Sequence, residues 1–458
     1  MLYKLFPIKF HKWTTLLGGF LIQLSIGSFL TFGNMVPYIT SYLRESVHIN
    51  IRYSNSVWIA TAYNFAFSIS ILLSGLITSY LKLNTKLSIL LGSALLSLST
   101  ILTHFTIQKS FFLVVLTYGI LFGIGSGFAY SGPISLAIKW FPNKSGLSVS
   151  AILFGYGASS ILFDQIQTMY INPGNLSPDK PFSSSFPDEK YFSNPELLAR
   201  VPKIFLILGG VYALLQVVGV GLLAERKDDP SVQINDFCEE TELIKSEKMN
   251  SLGVRYEDST EGLSLNEAWK YAAFWMLFCK IFSQLVPCGL VITYYKTFGQ
   301  RFISDDQFLS QVGSIAAFFN AFGTFFWGFV IDRSIYKICF VSLSTVLISL
   351  TSTLYLVQYL NFRILYAVCV GLINMCQSGV YVIMPTVIVK SFGSKNFQAI
   401  YGLLFLSPLF SSLMVGILGS SSDKIGWFWV FIICALIALL GWILGFVFNV
   451  RKSDGTEI

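Results

Sequence analysis

The ten residues from Gly328 to Lys337, GFVIDRSIYK, place a glycine and three charges between two long apolar stretches. Asp332, Arg333 and Lys337 stand out because only 12% of the 458 residues are charged. A carboxylate and a guanidinium at the end of an apolar segment can make charge-assisted hydrogen bonds with a neighbouring element. Long basic side chains in such places also extend to a polar interface. The pattern therefore indicates either an electrostatic contact between elements or an interfacial anchor.

Lys280 is a second candidate, because it is the one Lys or Arg well inside an apolar segment. A charge inside a membrane is costly and for that reason often functional. Gln284 follows one helical turn later and would share the same face, where it could orient the ammonium or a substrate oxygen. Two interpretations stay open: Lys280 extends to the nearer interface, or it lines an inward-open cavity. We adopt the second as the prediction, with an anionic substrate or a gating group as its partner.

Neutral polar side chains also recur inside the apolar segments. Each can hydrogen-bond a small solute or a neighbouring helix, and the sequence does not separate the two uses. The candidates for contact with a substrate are Tyr130, Tyr381, Asn34, Asn320 and Gln377.

The groups that enzymes, pumps and metalloproteins need are missing from the sequence. All cysteines except Cys238 lie in apolar runs, without a CxxC pair or a His/Cys cluster, so we expect packing residues and no metal site. No nucleophile–base set and no nucleotide-binding loop occurs, so we predict neither an enzyme nor a cofactor. The net charge of +7 arises from basic residues in short loops rather than from a basic domain, which excludes a nucleic-acid partner.

The elements that must position these residues are membrane helices. The chain is 54% hydrophobic, and apolar runs of roughly 20 residues are long enough to cross a bilayer. We predict an all-α membrane protein with twelve transmembrane helices. The runs are 13–36, 56–80, 86–107, 111–139, 145–170, 202–223, 271–295, 311–331, 338–358, 363–389, 397–419 and 427–449.

Two polar stretches, 173–201 and 224–267, interrupt this series, and the second divides the helices into two sets of six. We predict four parts: an N-terminal six-helix bundle at 1–223, a linker loop at 224–267, a C-terminal six-helix bundle at 268–450 and a tail at 451–458.

Basic residues indicate the orientation, because Lys and Arg are enriched in cytoplasmic loops. With the N-terminus inside, pairs such as Lys139/Lys144 and Lys390/Lys395 flank short inner loops. Both termini and the central loop are therefore predicted to be cytoplasmic, with the plasma membrane as the location.

The two halves also repeat one another. Pro133 lies near the end of segment four where Pro385 lies near the end of segment ten, and Gly75 takes the place of Gly328. Ser79 and Tyr80 stand where Asp332 and Arg333 stand in the second copy. An internal repeat of this kind is typical of transporter folds.

With these features the sequence resembles the major facilitator superfamily, whose motif G-x-x-x-D-R-x-x-x-K matches Gly328, Asp332, Arg333 and Lys337. The resemblance implies two pseudo-symmetric six-helix bundles that rock about a central site. It also implies a gating latch at these four residues, in which Asp332 and Arg333 pair across the ends of neighbouring helices when the inner gate is shut.

The stretches KWFPNKSGLSVSAILFGYGASSILF and FISDDQFLSQVGSIAAFFNAFGTFFWGFVIDR are similar to the oxalate/formate antiporter and monocarboxylate porter branch. DQIQTMYINPGNLSPD is similar to eukaryotic members, including apicoplast pyruvate carrier-like proteins. This implies a secondary carrier of a small monocarboxylate such as pyruvate or lactate. It also implies that Tyr381, four residues before Pro385, faces the substrate. Thr324 and Pro408 stand where the branch has an Arg and a Lys.

The absence of these two charges keeps other functions open. One is a carrier of a neutral or cationic small solute, and another is a receptor or adaptor that keeps the fold without transport. For a carrier we expect a small-molecule substrate, a coupled proton or counter-anion, the lipid bilayer as surroundings and a monomer.

Overall fold

A computed structural model describes residues 8–51, 53–81, 84–174, 176, 178–183, 186–225, 265–299, 302–303, 306–360, 362–394 and 396–448. Most of the predicted linker at 224–267 and the whole predicted tail at 451–458 lie outside these residues.

Within the described residues, twelve helices are long and apolar enough to cross a membrane, as predicted. We number them α1 to α12. Their bounds are 8–45 for α1, Tyr53–Tyr80 for α2, Thr85–Thr106 for α3, Phe111–Trp140 for α4, Ser145–Ile171 for α5, Pro195–Leu222 for α6, Ala272–Gly299 for α7, Asp306–Arg333 for α8, Tyr336–Leu360 for α9, Arg363–Phe392 for α10, Phe397–Gly419 for α11 and Ile425–Val447 for α12. A one-turn helix, Leu265–Ala268, precedes α7.

The helices form two bundles. In the first, α1 packs against α5 and α6, and α4 packs against α2 and α3. In the second, α7 and α9 pack against α12, and α8 packs against α10. The bundles meet where α5 contacts α8 and α2 contacts α11. Large apolar side chains such as Phe112 and Leu214 are exposed on the outside, where the bilayer would cover them.

The polar stretch 173–201 contains two strands and the start of a helix, none of which the sequence predicted. Strands β1 (Lys180–Ser183) and β2 (Phe186–Tyr191) form an antiparallel hairpin. Helix α6 then begins at Pro195, seven residues before the predicted run. The reason is local: the Asn194 side chain accepts a hydrogen bond from the Leu197 amide, and Pro195 occupies the first helical position, which needs no amide donor.

Helix α1 is interrupted by a 3₁₀ segment, Gly27–Thr31. The hydroxyls of Ser25, Ser28 and Thr31 each donate to a carbonyl three residues earlier at 2.7 Å. Such side-chain bonds satisfy carbonyl groups where the α-helical ladder is broken. The break turns the outer part of α1, with Asn34, towards α5.

Candidate functional site

Helices α2 and α8 finish, and α5 and α11 begin, at one end of the molecule, which we call the inner end. There α2 and α11 cross at glycines. A β-carbon at Gly75 would lie 2.2 Å from the Gln398 carbonyl oxygen, and one at Gly402 would lie 2.7 Å from the Leu72 α-carbon. Residues with side chains do not fit so close a crossing, so these glycines let the two bundles touch.

Asp332 makes the second inner contact between the bundles. Its Oδ1 accepts from the Gly146 amide at 2.7 Å and its Oδ2 from the Leu147 amide at 2.8 Å. These amides belong to the first turn of α5, whose free N–H groups and positive dipole end favour a carboxylate. A β-carbon at Gly328 would lie 2.8 Å from the Gly146 carbonyl oxygen, so α8 approaches α5 closely at this point.

The other two charges of the motif have different partners. The Arg333 guanidinium carbon lies 3.6 Å from the centre of the Phe329 ring, one turn earlier on the same helix. The Lys337 ammonium lies 4.7 Å from the Phe446 ring of α12. The contact across the bundles is therefore a carboxylate on backbone amides, and Arg333 stacks on its own helix instead of crossing to a neighbour.

Next to this closed end, aromatic rings from both bundles meet between the first turns of α11 and the middle of α5. The Tyr130 ring (α4) lies 6.0 Å from Tyr156 (α5), 6.4 Å from Tyr401 and 5.5 Å from Phe405 (both α11). The Tyr381 ring (α10) lies 6.1 Å from Phe405. We call these five residues the central aromatic cluster.

The members of the cluster differ in their exposure. Tyr130, Tyr401 and Phe405 are buried, whereas Tyr156 and Tyr381 are partly exposed. The buried hydroxyl of Tyr401 lies next to that of Tyr130 across the junction of the two bundles. Hydroxyl groups of both bundles are therefore close together at this junction, where each can donate or accept a hydrogen bond.

Tyr130 and Tyr381 were predicted from the sequence, whereas Tyr401 and Phe405 were not. These two lie one helical turn apart on α11, on either side of Gly402. Two aromatic residues four positions apart, with a glycine between them, indicate a close helix crossing that is lined with rings.

Lys280 lies elsewhere. It is 1% exposed, and its ammonium donates to the Gly441 carbonyl at 2.5 Å, to the Ser344 hydroxyl at 2.6 Å and to the Phe340 carbonyl at 3.4 Å. A lysine has three donors, and here all three point at α9 or α12 of its own bundle. The sequence placed Lys280 at an inward-open cavity. In this structure it instead joins three helices, because Gly441 of α12 and Phe340 and Ser344 of α9 supply its hydrogen-bond acceptors.

Gln284 belongs to the same polar contact. It is fully buried, and its Nε2 donates to Ser344 at 3.1 Å. A β-carbon at Gly441 would lie 2.9 Å from this nitrogen, and one at Gly445 would lie 2.9 Å from the Lys280 ammonium. The two glycines of α12 thus make the room that the polar face of α7 occupies.

The remaining candidates are spread over several helix contacts. Asn34 donates to Gln167 and Thr168 of α5, both at 3.2 Å, which ties the outer part of α1 to α5. Asn320 donates to the Asn374 carbonyl at 3.3 Å, between α8 and α10. Gln377 is partly buried on α10. The structure therefore brings Tyr130 and Tyr381 into one cluster and leaves the other polar candidates outside it.

The two positions where the branch carries charges are also explained by packing. Thr324 is 4% exposed, and its carbonyl accepts from Ser150 of α5 at 2.6 Å. Pro408 follows the interruption of α11 at Phe405, where a helix ends at Leu404 and the next begins at Leu406. Both positions serve close helix contacts or bends in this chain.

Comparison with known proteins agrees with this architecture. Residues 273–457 match the sequence model described as Major Facilitator Superfamily. The chain is 26% identical to Apicoplast pyruvate carrier 1 of Toxoplasma gondii, over 88% of this chain and 83% of the relative. It is 22% identical to Apicoplast pyruvate carrier 2 of the same organism, over 88% of this chain and 76% of the relative.

Solved structures share the fold. The fucose:proton symporter FucP of E. coli superposes with a TM-score of 0.59 at 13% identity, over 94% of this chain and 97% of that chain. The proton:xylose symporter XylE gives a TM-score of 0.63 at 13% identity, over 98% and 96%. The predicted twelve-helix fold and the predicted resemblance are confirmed. The family model and the solved structures that match this chain are of transporters, which agrees with the prediction that the chain is not an enzyme.

Proposed function

Since its C-terminal part matches the Major Facilitator Superfamily and the whole chain has the fold of that superfamily's transporters, we propose that this integral, multi-pass membrane protein is a secondary carrier of a small monocarboxylate. Pyruvate is the first candidate, because two relatives that cover most of the chain are named as pyruvate carriers. Lactate has the same carboxylate and size class.

One observation carries the proposal: tyrosines of both bundles meet at the centre, directly above a closed end. Tyr130 and Tyr156 come from the first bundle, and Tyr381 and Tyr401 come from the second. The affinity for a solute that is bound by hydroxyl groups of both bundles would depend on the relative position of the bundles. That is the requirement for a site that is exposed to one face of the membrane at a time.

The inner contacts support alternating access by rocking. The α2–α11 glycine crossing and the Asp332 cap on α5 both join the bundles at the inner end. Release of both contacts would let that end open while the bundles turn about the centre. Gly328, Asp332, Arg333 and Lys337 are the gating latch in this proposal, with Asp332 as its inter-bundle contact.

The same proposal includes the assembly and the orientation. The bundles are 1–223 and 268–450, joined by the linker at 224–267, and the tail is 451–458. The inner end, both termini and the linker face the cytoplasm, because the Lys and Arg bias of the loops favours that side. The carrier works as a monomer in the plasma membrane.

Recognition of the carboxylate would rest on hydroxyl donors. A tyrosine hydroxyl donates one hydrogen bond, and bonds to an ionised acceptor are stronger than neutral ones. Tyr381 is the first contact in this proposal, with Tyr130, Tyr401 and, near the same interface, Asn320 and Gln377 as further donors. Lys280, Gln284 and Asn34 act through helix packing in the conformation described here.

A neutral or cationic solute is the second candidate, and the central aromatic cluster itself favours it. Among the described residues, the groups that form this cluster are phenols and a phenyl ring, without a cation. Such a surface also suits an uncharged hydroxylated solute or, through ring faces, a cation.

The test is counterflow in proteoliposomes. Vesicles loaded with unlabelled pyruvate should take up labelled pyruvate, and Tyr381→Phe should raise the KM while the protein remains correctly inserted. Tyr359→Phe is the matched control, because Tyr359 is 70% exposed on α9 and lies outside the cluster.

Each outcome decides between the functions. Saturable counterflow of pyruvate that Tyr381→Phe weakens, and Tyr359→Phe does not, supports the monocarboxylate carrier. Counterflow of neutral or cationic solutes with indifference to pyruvate supports the second candidate. If a broad set of solutes shows no counterflow in well-folded vesicles, the chain is a receptor or adaptor with the carrier fold.

A further inference from the structure

A carboxylate in the first bundle has no role in the contacts described so far. Asp164 lies on α5, seven residues before its end at Ile171, about 10 Å inside the outer end at ~1.5 Å per residue. The residue is partly buried, and its Oδ1 is buried without a hydrogen-bond partner among the described residues. An ionised carboxylate is costly in such a place, whereas a protonated one is not.

The surroundings of Asp164 are uncharged. Asn34 of α1 donates to the backbone carbonyl of Asp164 at 3.4 Å and leaves the carboxylate itself free. The titratable group that the described residues bring within electrostatic reach of Asp164 is the phenol of Tyr118 on α4. Tyr212 of α6 and Tyr38 of α1 lie against other residues of α5, namely Phe163 and Thr168. Phenols are neutral at physiological pH, and no charged group from the described residues of the helices packed on α5, including α8 and α10, acts on the carboxylate.

Tyr118 connects this carboxylate with the centre of the molecule. Its hydroxyl is also buried without a partner among the described residues. The Tyr118 and Tyr63 rings both pack on Phe29, at 5.7 and 3.6 Å. The Tyr63 hydroxyl lies beside Tyr156, a member of the central aromatic cluster. Neighbouring tyrosines, Tyr118 and Tyr63 with Phe29 between their rings, therefore connect Asp164 with Tyr156 of the central aromatic cluster.

We propose that the Asp164 carboxylate is the proton-binding site of the carrier, and that Tyr118 and Tyr63 link its protonation to the central aromatic cluster. The balance is simple: one proton from the outer solution adds to the carboxylate and forms a neutral carboxylic acid. The same proton leaves the acid group on the other side of the membrane after the bundles have turned. The inference rests on the proposed carrier function, because coupling needs a transported solute.

The proposal explains why a carboxylate lies here without a cation or a hydrogen-bond donor on its buried oxygen. Its ionised form destabilises the packing of α5 against α1, α4 and α6, and its neutral form does not. Protonation therefore changes the relative stability of two arrangements of this bundle, which is what coupling between a proton and a conformational change requires.

The decisive experiment compares two kinds of transport in proteoliposomes. Asp164→Asn imitates the protonated form, so it should keep pyruvate counterflow within about threefold of wild type and lose accumulation driven by a pH gradient. Asp179→Asn is the matched control, because Asp179 lies in the loop before β1, where Ser193 binds its carboxylate, and it should keep both activities.

The outcomes separate this inference from the proposed function. Accumulation driven by pH that persists in Asp164→Asn overturns the inference and leaves the carrier intact. Absence of pyruvate counterflow from wild type removes the proposed monocarboxylate transport itself. Loss of both activities in Asp164→Asn points to a structural role and also overturns the inference.

A second measurement does not depend on transport. Addition of pyruvate to the purified wild-type protein in weak buffer should change its proton occupancy, which a pH-sensitive dye reports. Asp164→Asn should abolish that proton uptake or release, and Tyr118→Phe should shift the pH at which it is half-maximal. An unchanged signal in Asp164→Asn overturns the inference even where both proteins bind pyruvate.

Discussion

Asp332→Asn tests the inner contact most directly, because the change keeps the shape of the side chain and removes its charge. The carboxylate accepts from two amides of α5, Gly146 and Leu147. An amide side chain has one acceptor oxygen, so its NH₂ group would face the second backbone N–H without an acceptor. We therefore expect one hydrogen bond to be lost and the other to be weakened.

The magnitude follows from the two bonds and the helix end. A hydrogen bond to a charged group contributes about 1.5–3 kcal/mol and a neutral one about 0.5–1.5 kcal/mol. The favourable interaction of a carboxylate with a helix N-terminus adds about 0.3–1 kcal/mol. A loss of ~2–3 kcal/mol from the closed inner end would reduce its population relative to the open one by about 30- to 150-fold.

Distance measurements between spin labels at positions 81 and 394 would report this shift. Leu81 follows α2 and Ser394 precedes α11, and both are exposed. Labels introduced as genetically encoded amino acids leave the native cysteines in place. Wild type should show a short distance, and Asp332→Asn should add a longer one together with a lower transport turnover.

Arg333→Gln is the control for general disturbance of the loop. The guanidinium stacks on Phe329 of its own helix, so its removal should leave the distance distribution close to that of wild type. A short distance that is unchanged in Asp332→Asn, or lengthened equally by Arg333→Gln, would refute the assignment of the contact to the carboxylate.

The other predictions concern packing, stability and orientation. Gly402→Val should also lengthen the 81–394 distance because a β-carbon there meets Leu72, whereas Gly416→Val should not, since a β-carbon at Gly416 meets no atom within 4 Å; equal effects would contradict the crossing. Lys280→Gln should lower the thermal midpoint of the detergent-solubilised protein, with a cost of ~1–3 kcal/mol for the acceptors left unpaired. An unchanged midpoint would contradict the three-helix contact. Tags at both termini and at residue 240 should be reached from the cytoplasm and a tag at residue 184 from the other face; a same-side result would overturn the proposed orientation.

The sequence predicted the helices well because bilayer thickness and apolar length determine them. It predicted the start of α6 poorly, because the Asn194 cap and Pro195 act within a stretch that is polar by composition. Hydropathy records burial, whereas a helix start depends on which side chain binds the first amides.

The site could be predicted only in part for a similar reason. Tyr130 was found because it is a polar group inside an apolar run, and Tyr381 also because its spacing from Pro385 resembles that of the monocarboxylate porter branch. The partners of Lys280 could not be found, because Gly441 contributes a backbone carbonyl, which every residue possesses. The amides that bind Asp332 are also backbone groups, which the sequence pattern does not distinguish. The sequence therefore identified the charge of Asp332 but suggested the side chain of Arg333 as its partner.

The contact between Lys280 and Gly441 also has a consequence for biosynthesis. The acceptor lies 161 residues after the donor, in α12, the last of the twelve membrane-length helices among the described residues. While the chain is being synthesised, α7 enters the bilayer with an ammonium whose partner on α12 does not yet exist. A nascent chain that stops before α12 would keep this charge within its membrane domain with the acceptors on α9 but without the Gly441 carbonyl. The polar contact that joins α7, α9 and α12 is therefore complete only after α12 has entered the bilayer.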